Sequence, residues 1–298
     1  MSSIRTLKTF LAVARHGSFA AAGKEIGLTA AAVGLQVRAL ESDLHQGLFD
    51  RSGRSIVLNT AGRGLVLPVQ DLVARYDALA AREDGEQLSG TVVMGALVSA
   101  LMGAFADALW ALRRRHPALE VTLLAGLSAD FATRVDRGEL DAAVVTQPPV
   151  KLPSNLRWTA LYSEAMVLIV PRRPHFDMAS EPLDILAQSP FMRFDRQTWT
   201  GHLVNEALAQ CGATVKEGIE LNSVEAIVAL VRQGFGVSIV PQLANVQWPR
   251  DRSLQIVPLP GVDVQRHVGL LERRQHSRER FTAEIKAYFE SGAVRRKR

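Results

Sequence analysis

Two turn signals close together near the N-terminus constrain the fold of this 298-residue chain more than any other feature. At Gly17-Ser18 and at Gly27 to Thr29, a glycine that can end one helix is followed by a hydroxyl residue that can cap the next. Apolar residues recur at helical spacing before and after these signals. The sequence therefore predicts three helices joined by tight turns, the first burying a face made of Ile4, Leu7, Phe10, Leu11 and Ala14.

The third predicted helix begins after Thr29 and has one apolar face. Its inward positions are expected to be Val33, Val37, Leu40 and Leu44. A short helix followed across a tight turn by a longer one is how a small domain presents a helix to the DNA major groove. The residues expected to face outward at this end, and so to meet DNA, are Thr29, Ala30, Ala31, Gly34, Leu35 and Arg38.

A basic, glycine-containing loop precedes a predicted strand at 55–58. Arg51 and Arg54 on this loop are expected to act as a wing that lies along phosphates or enters a minor groove. Lys24 is a further expected phosphate contact. Residues 1–63 hold eight Lys/Arg against four Asp/Glu, and residues 266–298 hold ten against four. Basic ends favour an anionic partner such as nucleic acid, although a solvated surface explains the charge equally well.

The sequence shows neither an export signal nor an apolar run long enough to cross a membrane. Its single cysteine, Cys211, cannot form an internal disulfide, which fits a reducing cytoplasm. We therefore expect a cytoplasmic protein without membrane partners.

A long helix is predicted from a cap at Asn59 to about Arg82. Its apolar residues repeat at alternating spacings of four and three, which is typical of a helix that pairs with a second copy. The expected dimerisation seam consists of Leu65, Val69, Leu72, Tyr76 and Leu79. A core helix of a single domain is the alternative. The polar, glycine-broken residues 83–86 are expected to form a hinge.

From Gly90 onward, short apolar strands alternate with amphipathic helices. The strands are expected at 91–97, 119–124, 140–146, 166–171, 191–194, 219–221, 236–241 and 268–272. Two α/β lobes with a C-terminal return form a bilobed fold that holds a ligand between them. Helix N-termini at the strand ends would offer N–H groups to an anion there. Thr200 and Asn222 lie at such helix starts.

Three stretches carry a resemblance to a known family. Leu28 to Val37, followed by Arg38, Leu40, Glu41, Leu48, Phe49, Arg51 and Gly53, resembles the helix-turn-helix of LysR-type transcriptional regulators. Residues 137–144 and 230–241 resemble the effector domain of the same family, so that the likeness covers almost the whole chain. It implies a winged helix-turn-helix at 1–59, a linker helix and hinge at 60–88, and a bilobed α/β, periplasmic-binding-protein-like effector domain at 89–298. Lobe I would comprise 89–161 plus 266–290, and lobe II 162–265.

The resemblance implies Ser99 and Ser128 as leading effector contacts, with Thr146 as a further one. Plain helix capping is the alternative role for both serines. Arg193 could clamp an anion beside Phe191 and Phe194, although a surface role is the commoner one for arginine. These residues predict a small, anionic effector.

The chain departs from the family at Ala30, Ala31, Gly34 and Leu35, where the family places base-reading or phosphate-contacting side chains. Alanine and glycine cannot make the bidentate contacts that discriminate bases by roughly 1–3 kcal/mol. Thymine methyl contacts, phosphate contacts and DNA shape remain as means of recognition. The prediction is a DNA binder with little direct readout, and the alternative is a ligand-binding protein whose DNA-binding head is degenerate and non-specific.

No phosphate-binding loop, metal-ligand spacing or nucleophile elbow occurs in the sequence. We therefore expect no enzyme activity, metal or cofactor, in contrast to the alternatives of an α/β enzyme or an exported solute-binding protein. The expected partners are double-stranded promoter DNA, a small-molecule effector, further copies of the chain in a dimer or tetramer, and RNA polymerase. The effector, the operator and the direction of regulation cannot be inferred from the residues.

Overall fold

The computed structural model describes residues 3–52, 55–80, 87–244, 246, 248 and 251–291. The chain divides into two compact units, Met1–Glu86 and Gln87–Arg298. Across the described stretches, every helix falls short of the length and apolar character needed to span a bilayer. The predicted hinge at 83–86 lies outside the described residues.

The N-terminal unit is helical with one hairpin. Its elements are α1 (Ile4–His16), α2 (Phe19–Ile26), α3 (Ala30–Asp43), β1 (Phe49–Ser52), β2 (Ser55–Leu58) and α4 (Thr60–Ala80). The expected caps are present: Ser18 Oγ accepts from Ala21 N at 3.4 Å, and Thr29 Oγ1 accepts from Ala32 N at 3.2 Å. Gly17 ends α1 with φ at 62°, a conformation that favours glycine.

The core of this unit forms where the inner faces of α1 and α3 meet the start of the hairpin. Its fully buried members include Phe10, Val33, Val37 and Leu40, as the spacing predicts. Leu44 differs from its prediction, because α3 ends at Asp43 and the Leu44 side chain is 43% exposed. The helix therefore stops before it can turn that residue inward.

Gly34 is also placed differently from its prediction. It is buried rather than turned outward, because the aromatic ring of Phe19 at the start of α2 covers it. A Cβ atom at Gly34 would lie 3.5 Å from that ring, which is an ordinary van der Waals contact. The surface of α3 available to DNA therefore excludes Gly34.

The first half of α4 belongs to the core of the N-terminal unit. Asn59 caps this helix, accepting from Gly62 N at 2.9 Å. Val69 is buried in the core and Leu65 packs against it. Leu72 and Tyr76 are about half exposed, at 53% and 49%. The predicted seam is thus divided, because its first two residues pack within their own chain and are not free to pair. The Leu79 side chain lies outside the described residues.

The second unit begins with a parallel α/β arrangement that we call lobe I. Its elements up to residue 146 are β3 (Gly90–Ala96), α5 (Val98–Met102), α6 (Ala104–Arg115), β4 (Leu119–Ala125), α7 (Ser128–Asp136) and β5 (Ala142–Thr146). Strand β3 pairs in parallel with both β4 and β5. The apolar runs predict three buried parallel strands, but β4 is mostly not buried, because it lies at the edge of the sheet. Their carboxyl ends, followed by α5 and α7, lie at one edge of the sheet.

The rest of the unit builds lobe II and then returns. Its elements are β6 (Leu156–Pro171), α8 (Pro182–Gln188), β7 (Pro190–Phe194), α9 (Trp199–Gln210), β8 (Lys216–Leu221), α10 (Val224–Arg232), β9 (Ser238–Pro241), β10 (Leu254–Val257), β11 (Gln265–Arg273) and α11 (Glu279–Glu290). Strand β6 begins at Leu156, whereas the sequence predicts its start at Met166. Strand β10 and helix α8 are not predicted from the sequence.

Strands β6 and β11 run antiparallel and connect the two lobes. The sheet order is β10-β6-β11-β5-β3-β4, with β9 also paired to β6. The amino half of β6 pairs with β11 beside lobe I, and its carboxyl half pairs with β9 and β10 in lobe II. Parallel strands β7 and β8 complete lobe II through a bridge between Phe191 and Val237. The lobes are therefore joined by hydrogen-bonded strands that belong to both.

We predict that Gly34→Ala stabilises the N-terminal unit by about 0.8–1 kcal/mol. Alanine is favoured over glycine inside a helix by this amount, and the site accepts a methyl group without a clash. The matched control is Gly62→Ala in α4, where the new Cβ would lie 2.1 Å from the Leu48 carbonyl oxygen. That control should destabilise the unit by about 1–3 kcal/mol.

Both changes are measured by urea unfolding of the full chain together with amide hydrogen exchange in α1 to α3. Exchange reports on the N-terminal unit separately from the second unit. A destabilised Gly34→Ala chain would contradict the packing of Gly34 described above.

Candidate functional site

The first half of the exposed side of α3 carries mostly small or apolar side chains. Of the outward residues predicted from the sequence, Thr29, Ala30, Ala31, Leu35 and Arg38 are exposed, and Lys24 is exposed on the neighbouring α2. The Thr29 hydroxyl is used in capping, and Gln36 Oε1 accepts from Thr9 Oγ1 at 2.5 Å. The polar groups of this half of α3 are therefore mostly engaged within the unit.

Three hydrogen bonds join the hairpin region to the helices. Glu41 Oε1 accepts from Leu48 N at 2.8 Å and from Phe49 N at 3.3 Å, which joins the end of α3 to the start of β1. Ile56 N donates to the Gly17 carbonyl oxygen at 3.2 Å, which joins β2 to the turn between α1 and α2. The backbone of Arg51 lies in β1 opposite Ile56. The Arg51 side chain and all of Arg54 lie outside the described residues.

A cavity of about 490 Å³ lies between lobes I and II. Both lobes line it through the residues that follow their strands. Those from lobe I are residues 97–99 and 125–129, those from lobe II are 194, 195, 197–200 and 222–225, and Arg266 on β11 joins them. Four predicted effector contacts, Ser99, Ser128, Thr200 and Asn222, are among these lining residues. The volume is in the range usual for a small-molecule site.

Ser99 is held by a buried ion pair. Arg266 Nη1 donates to Ser99 Oγ at 3.0 Å, while Arg266 Nε donates to Glu164 Oε2 at 2.9 Å. The Arg266 Nη2 atom also donates to Glu164. Glu164 Oε1 accepts from Ala244 N at 3.0 Å, and both charged side chains are 1% exposed. Burial and the nearby Glu164 carboxylate raise the pKa of Tyr162 far above its usual range, and Arg266 opposes this.

Ser128 does not cap α7, so the alternative role of plain helix capping is wrong for this serine. Leu127 occupies the N-cap position without a side-chain hydrogen bond, and the Ser128 hydroxyl accepts from Thr146 N at 3.2 Å. Thr146 is buried just behind the cavity and its Oγ1 lies 3.3 Å from Thr200 Oγ1 on α9. Thr146 therefore connects the two lobes and does not line the cavity.

The lobe II wall is built from two capped helix N-termini. Thr198 Oγ1 accepts from Gly201 N at 2.9 Å to cap α9, and Ser223 Oγ accepts from Ala226 N at 3.1 Å to cap α10. Each N-terminus also has a carboxylate close by in the chain. Asp195 accepts from Gln197 N at 2.9 Å, and Glu225 accepts from Ser223 Oγ at 2.6 Å. This wall already carries negative charge where the helix dipoles favour it.

Arg193 lies outside the cavity lining, so the anion clamp predicted for it is not formed. Its side chain is buried and its Nη1 lies 3.6 Å from Glu217 Oε1. Burial lowers the pKa of the Arg193 guanidinium, and the Glu217 carboxylate opposes this. The neighbouring Arg196 is exposed and pairs with Glu217 and Glu220. The acidic side chains of β8 therefore occupy both arginines.

Sequence reasoning missed Arg266, the one basic side chain that lines the cavity within the described part of the chain. It sits among the polar residues that begin β11, where an arginine is expected to face solvent. The sequence contains the acid and the base, Glu164 and Arg266, but they can be recognised as a pair only when the register that places them opposite each other is known. Within the same described part, no group of His, Cys, Asp or Glu is arranged to hold a metal ion.

We predict that Arg266→Met destabilises the second unit by about 3–5 kcal/mol. The substitution leaves the Glu164 carboxylate buried without its counter-charge, and an uncompensated buried charge carries a cost of this size. Glu164→Gln alone should also destabilise the unit, because it strands the Arg266 guanidinium. The double variant should lose less than the sum of the two single variants, since neither charge remains. Urea unfolding of the four proteins measures this cycle, and additive losses would show that the pair does not act as a unit.

Two domain families match the two units, one after the other along the chain. Residues 4–63 match the bacterial regulatory helix-turn-helix protein, lysR family, and residues 85–291 match the LysR substrate binding domain. The chain is 29% identical over 277 residues to a probable RuBisCO transcriptional regulator of Cyanophora paradoxa, covering 85% of this chain and 83% of the relative. It is 29% identical over 258 residues to the HTH-type transcriptional activator IlvY of Salmonella typhimurium, covering 83% and 84%.

Solved structures share the fold. Full-length OxyR from Pseudomonas aeruginosa is similar over 99% of this chain and 96% of that chain, with a TM-score of 0.77 and 19% identity. Full-length BenM is similar over 98% and 97%, with a TM-score of 0.57 and 20% identity. These matches confirm the predicted fold class, and the family and its named relatives are regulators of transcription rather than enzymes. Because the two family matches span both compact units, the chain belongs to the LysR family of transcriptional regulators, with a DNA-binding helix-turn-helix domain followed by an effector-binding domain.

Proposed function

We propose that the cavity binds a small effector whose anionic group lies against the lobe I wall. The observation that carries this proposal is the uncapped N-terminus of α7, which opens on the cavity at Ser128 and Ala129. Free N–H groups and the positive end of a helix dipole favour an anion there. The N-termini of α9 and α10, in contrast, are capped by Thr198 and Ser223.

Ser99 and Ser128 supply the hydroxyl groups of this wall. Each oxygen already accepts one hydrogen bond, from Arg266 and from Thr146 N respectively, so each hydroxyl proton is directed away from that donor. A ligand carboxylate or phosphate could accept both protons. The Arg266 guanidinium adds little net charge, because Glu164 pairs with it.

The opposite wall limits the charge of the effector. Asp195 and Glu225 line the cavity, and neither is in a salt bridge within the part of the chain that the structure describes. A second anionic group facing them would be repelled. Thr200 and Asn222 on the same wall can hydrogen-bond neutral polar groups. The effector we propose therefore carries an anionic group at one end and uncharged or hydrogen-bond-donating groups at the other.

Effector binding would be transmitted through the relative arrangement of the two lobes. The hydroxyl contact between Thr146 and Thr200 joins them at the inner end of the cavity. A ligand that contacts both walls favours one arrangement of the lobes only to the extent that it binds that arrangement more tightly than the other. The changed arrangement would alter how an assembly of chains contacts promoter DNA and RNA polymerase.

The DNA contacts we propose are those of α3, α2 and the hairpin. Thr29, Ala30, Ala31 and Leu35 would face the major groove, with Lys24, Arg38, Arg51 and Arg54 on phosphates. Gly34 is removed from this set, because it is buried. Assembly of the chain into a dimer or tetramer would use the exposed part of α4, where Leu72 and Tyr76 lie. A head that has lost specific binding is the second candidate, favoured by the alanines on α3.

We predict that the full chain binds the promoter upstream of its own gene at least about 10³-fold more tightly than scrambled DNA. Arg38→Ala should weaken both complexes and reduce the salt slope by about one, because it removes a phosphate contact. The matched control is Arg137→Ala, an exposed arginine of the second unit, which should change neither. Fluorescence anisotropy across a salt series measures this, and equal binding of both duplexes would support the degenerate head.

We predict that Ser128→Ala weakens sulfate and acetate binding by at least about tenfold, since a hydrogen bond to a charged group is worth roughly 1.5–3 kcal/mol. The matched control is Thr133→Ala, which removes a hydroxyl from the exposed face of the same helix. Titration is followed by the fluorescence of Trp199, which lines the cavity. Undiminished binding in the Ser128 variant would show that the anion does not use this wall.

A further inference from the structure

The side of α3 that is predicted to face DNA has a largely exposed apolar residue at its centre. The Leu35 side chain is 63% exposed, the largest exposed fraction among the large apolar side chains described in residues 3–76. Ala31 lies one turn before it and Arg38 three residues after it, so the three share one face of the helix. We call these three residues the 31-35-38 stripe.

Several hydrogen-bonding groups beside Leu35 that could read a base edge already have a partner in their own unit. Thr29 Oγ1 accepts from Ala32 N, and Gln36 Oε1 accepts from Thr9. Arg38 Nε donates to the Gly34 carbonyl oxygen at 3.3 Å, which holds its stem along the helix. Ala31 and Leu35 therefore present methyl groups toward the groove, and the Arg38 guanidinium lies at the end of the stripe.

Only one apolar group is displayed in the major groove of DNA, the 5-methyl group of thymine. The charges around Leu35 fit DNA as the partner. Lys24 and Arg38 flank the stripe, and the first 63 residues are net basic. We propose that Leu35, with Ala31 beside it, recognises thymine methyl groups and gives this regulator most of its direct sequence readout. The proposal rests on sequence-specific DNA binding by the head.

The test uses the full chain and a duplex that it selects from a random-sequence pool. Uracil replaces thymine in the selected duplex, one position at a time within the protected region, which removes only the 5-methyl group. At one or two positions binding should weaken about fourfold for each methyl group, the value for burying one such group. Uracil outside the protected region serves as the DNA control.

Protein variants assign the effect to Leu35. Leu35→Ala should bind the thymine and uracil duplexes alike at the sensitive positions. The matched control is Leu44→Ala, because Leu44 is an exposed leucine at the other end of the same helix and should leave the thymine preference intact. Leu35 is exposed, so its replacement is expected to leave folding unchanged, and circular dichroism verifies this.

Three results would overturn the proposal. Equal binding of thymine and uracil duplexes by the native chain would show that no methyl group is read. A thymine preference that survives in Leu35→Ala would assign the methyl contact to another residue. If the pool yields no enriched sequence, specific binding itself fails, and this result is distinguishable from the other two because both of them start from an enriched duplex.

Discussion

The second unit is organised around the ion pair of Arg266 and Glu164. The two side chains lie opposite each other on the strands that pass between the lobes, and almost no solvent reaches them. A buried charge is tolerable only when its hydrogen bonds are satisfied, so the groups that bond to the pair must keep their positions. These groups are Ser99 in the cavity wall, which bonds to Arg266, and the backbone of Ala244 in lobe II, which bonds to Glu164. One charge pair thus fixes the junction of the lobes and the floor of the ligand cavity.

Local signals in the sequence predicted most of the helices and the positions of the parallel strands along the chain. A glycine before a hydroxyl residue marks a helix boundary through backbone chemistry alone, and Thr29 caps α3 as expected. The role of Ser128 could not be predicted in this way, because its partner is the backbone of Thr146 on another strand. Arg266 was missed for the same reason, since its partner is distant in sequence and the strand register is not visible before the fold is known.

Periodicity predicts which residues are apolar on a helix, and it does not predict what covers them. The spacing in α4 is regular from Leu65 to Tyr76, yet Val69 is covered by the core of its own chain and Leu72 is not. Gly34 gives the converse case, because a residue without a side chain leaves no trace in an apolar pattern. Its burial depends on the ring of Phe19, which reaches it from the preceding helix.

The contacts of Ile56 with Gly17 and of Glu41 with Leu48 tie the hairpin to the helices, and Val69 and Val73 join the middle of α4 to the same core. Reading helix, hairpin and helical stem therefore turn as one body. On B-form DNA, half-sites recur with the helical repeat of about 10 base pairs. If two such bodies bind one duplex, a change in the angle between their two stems becomes a change in helical phase between the half-sites, and operator spacing is selected by that angle.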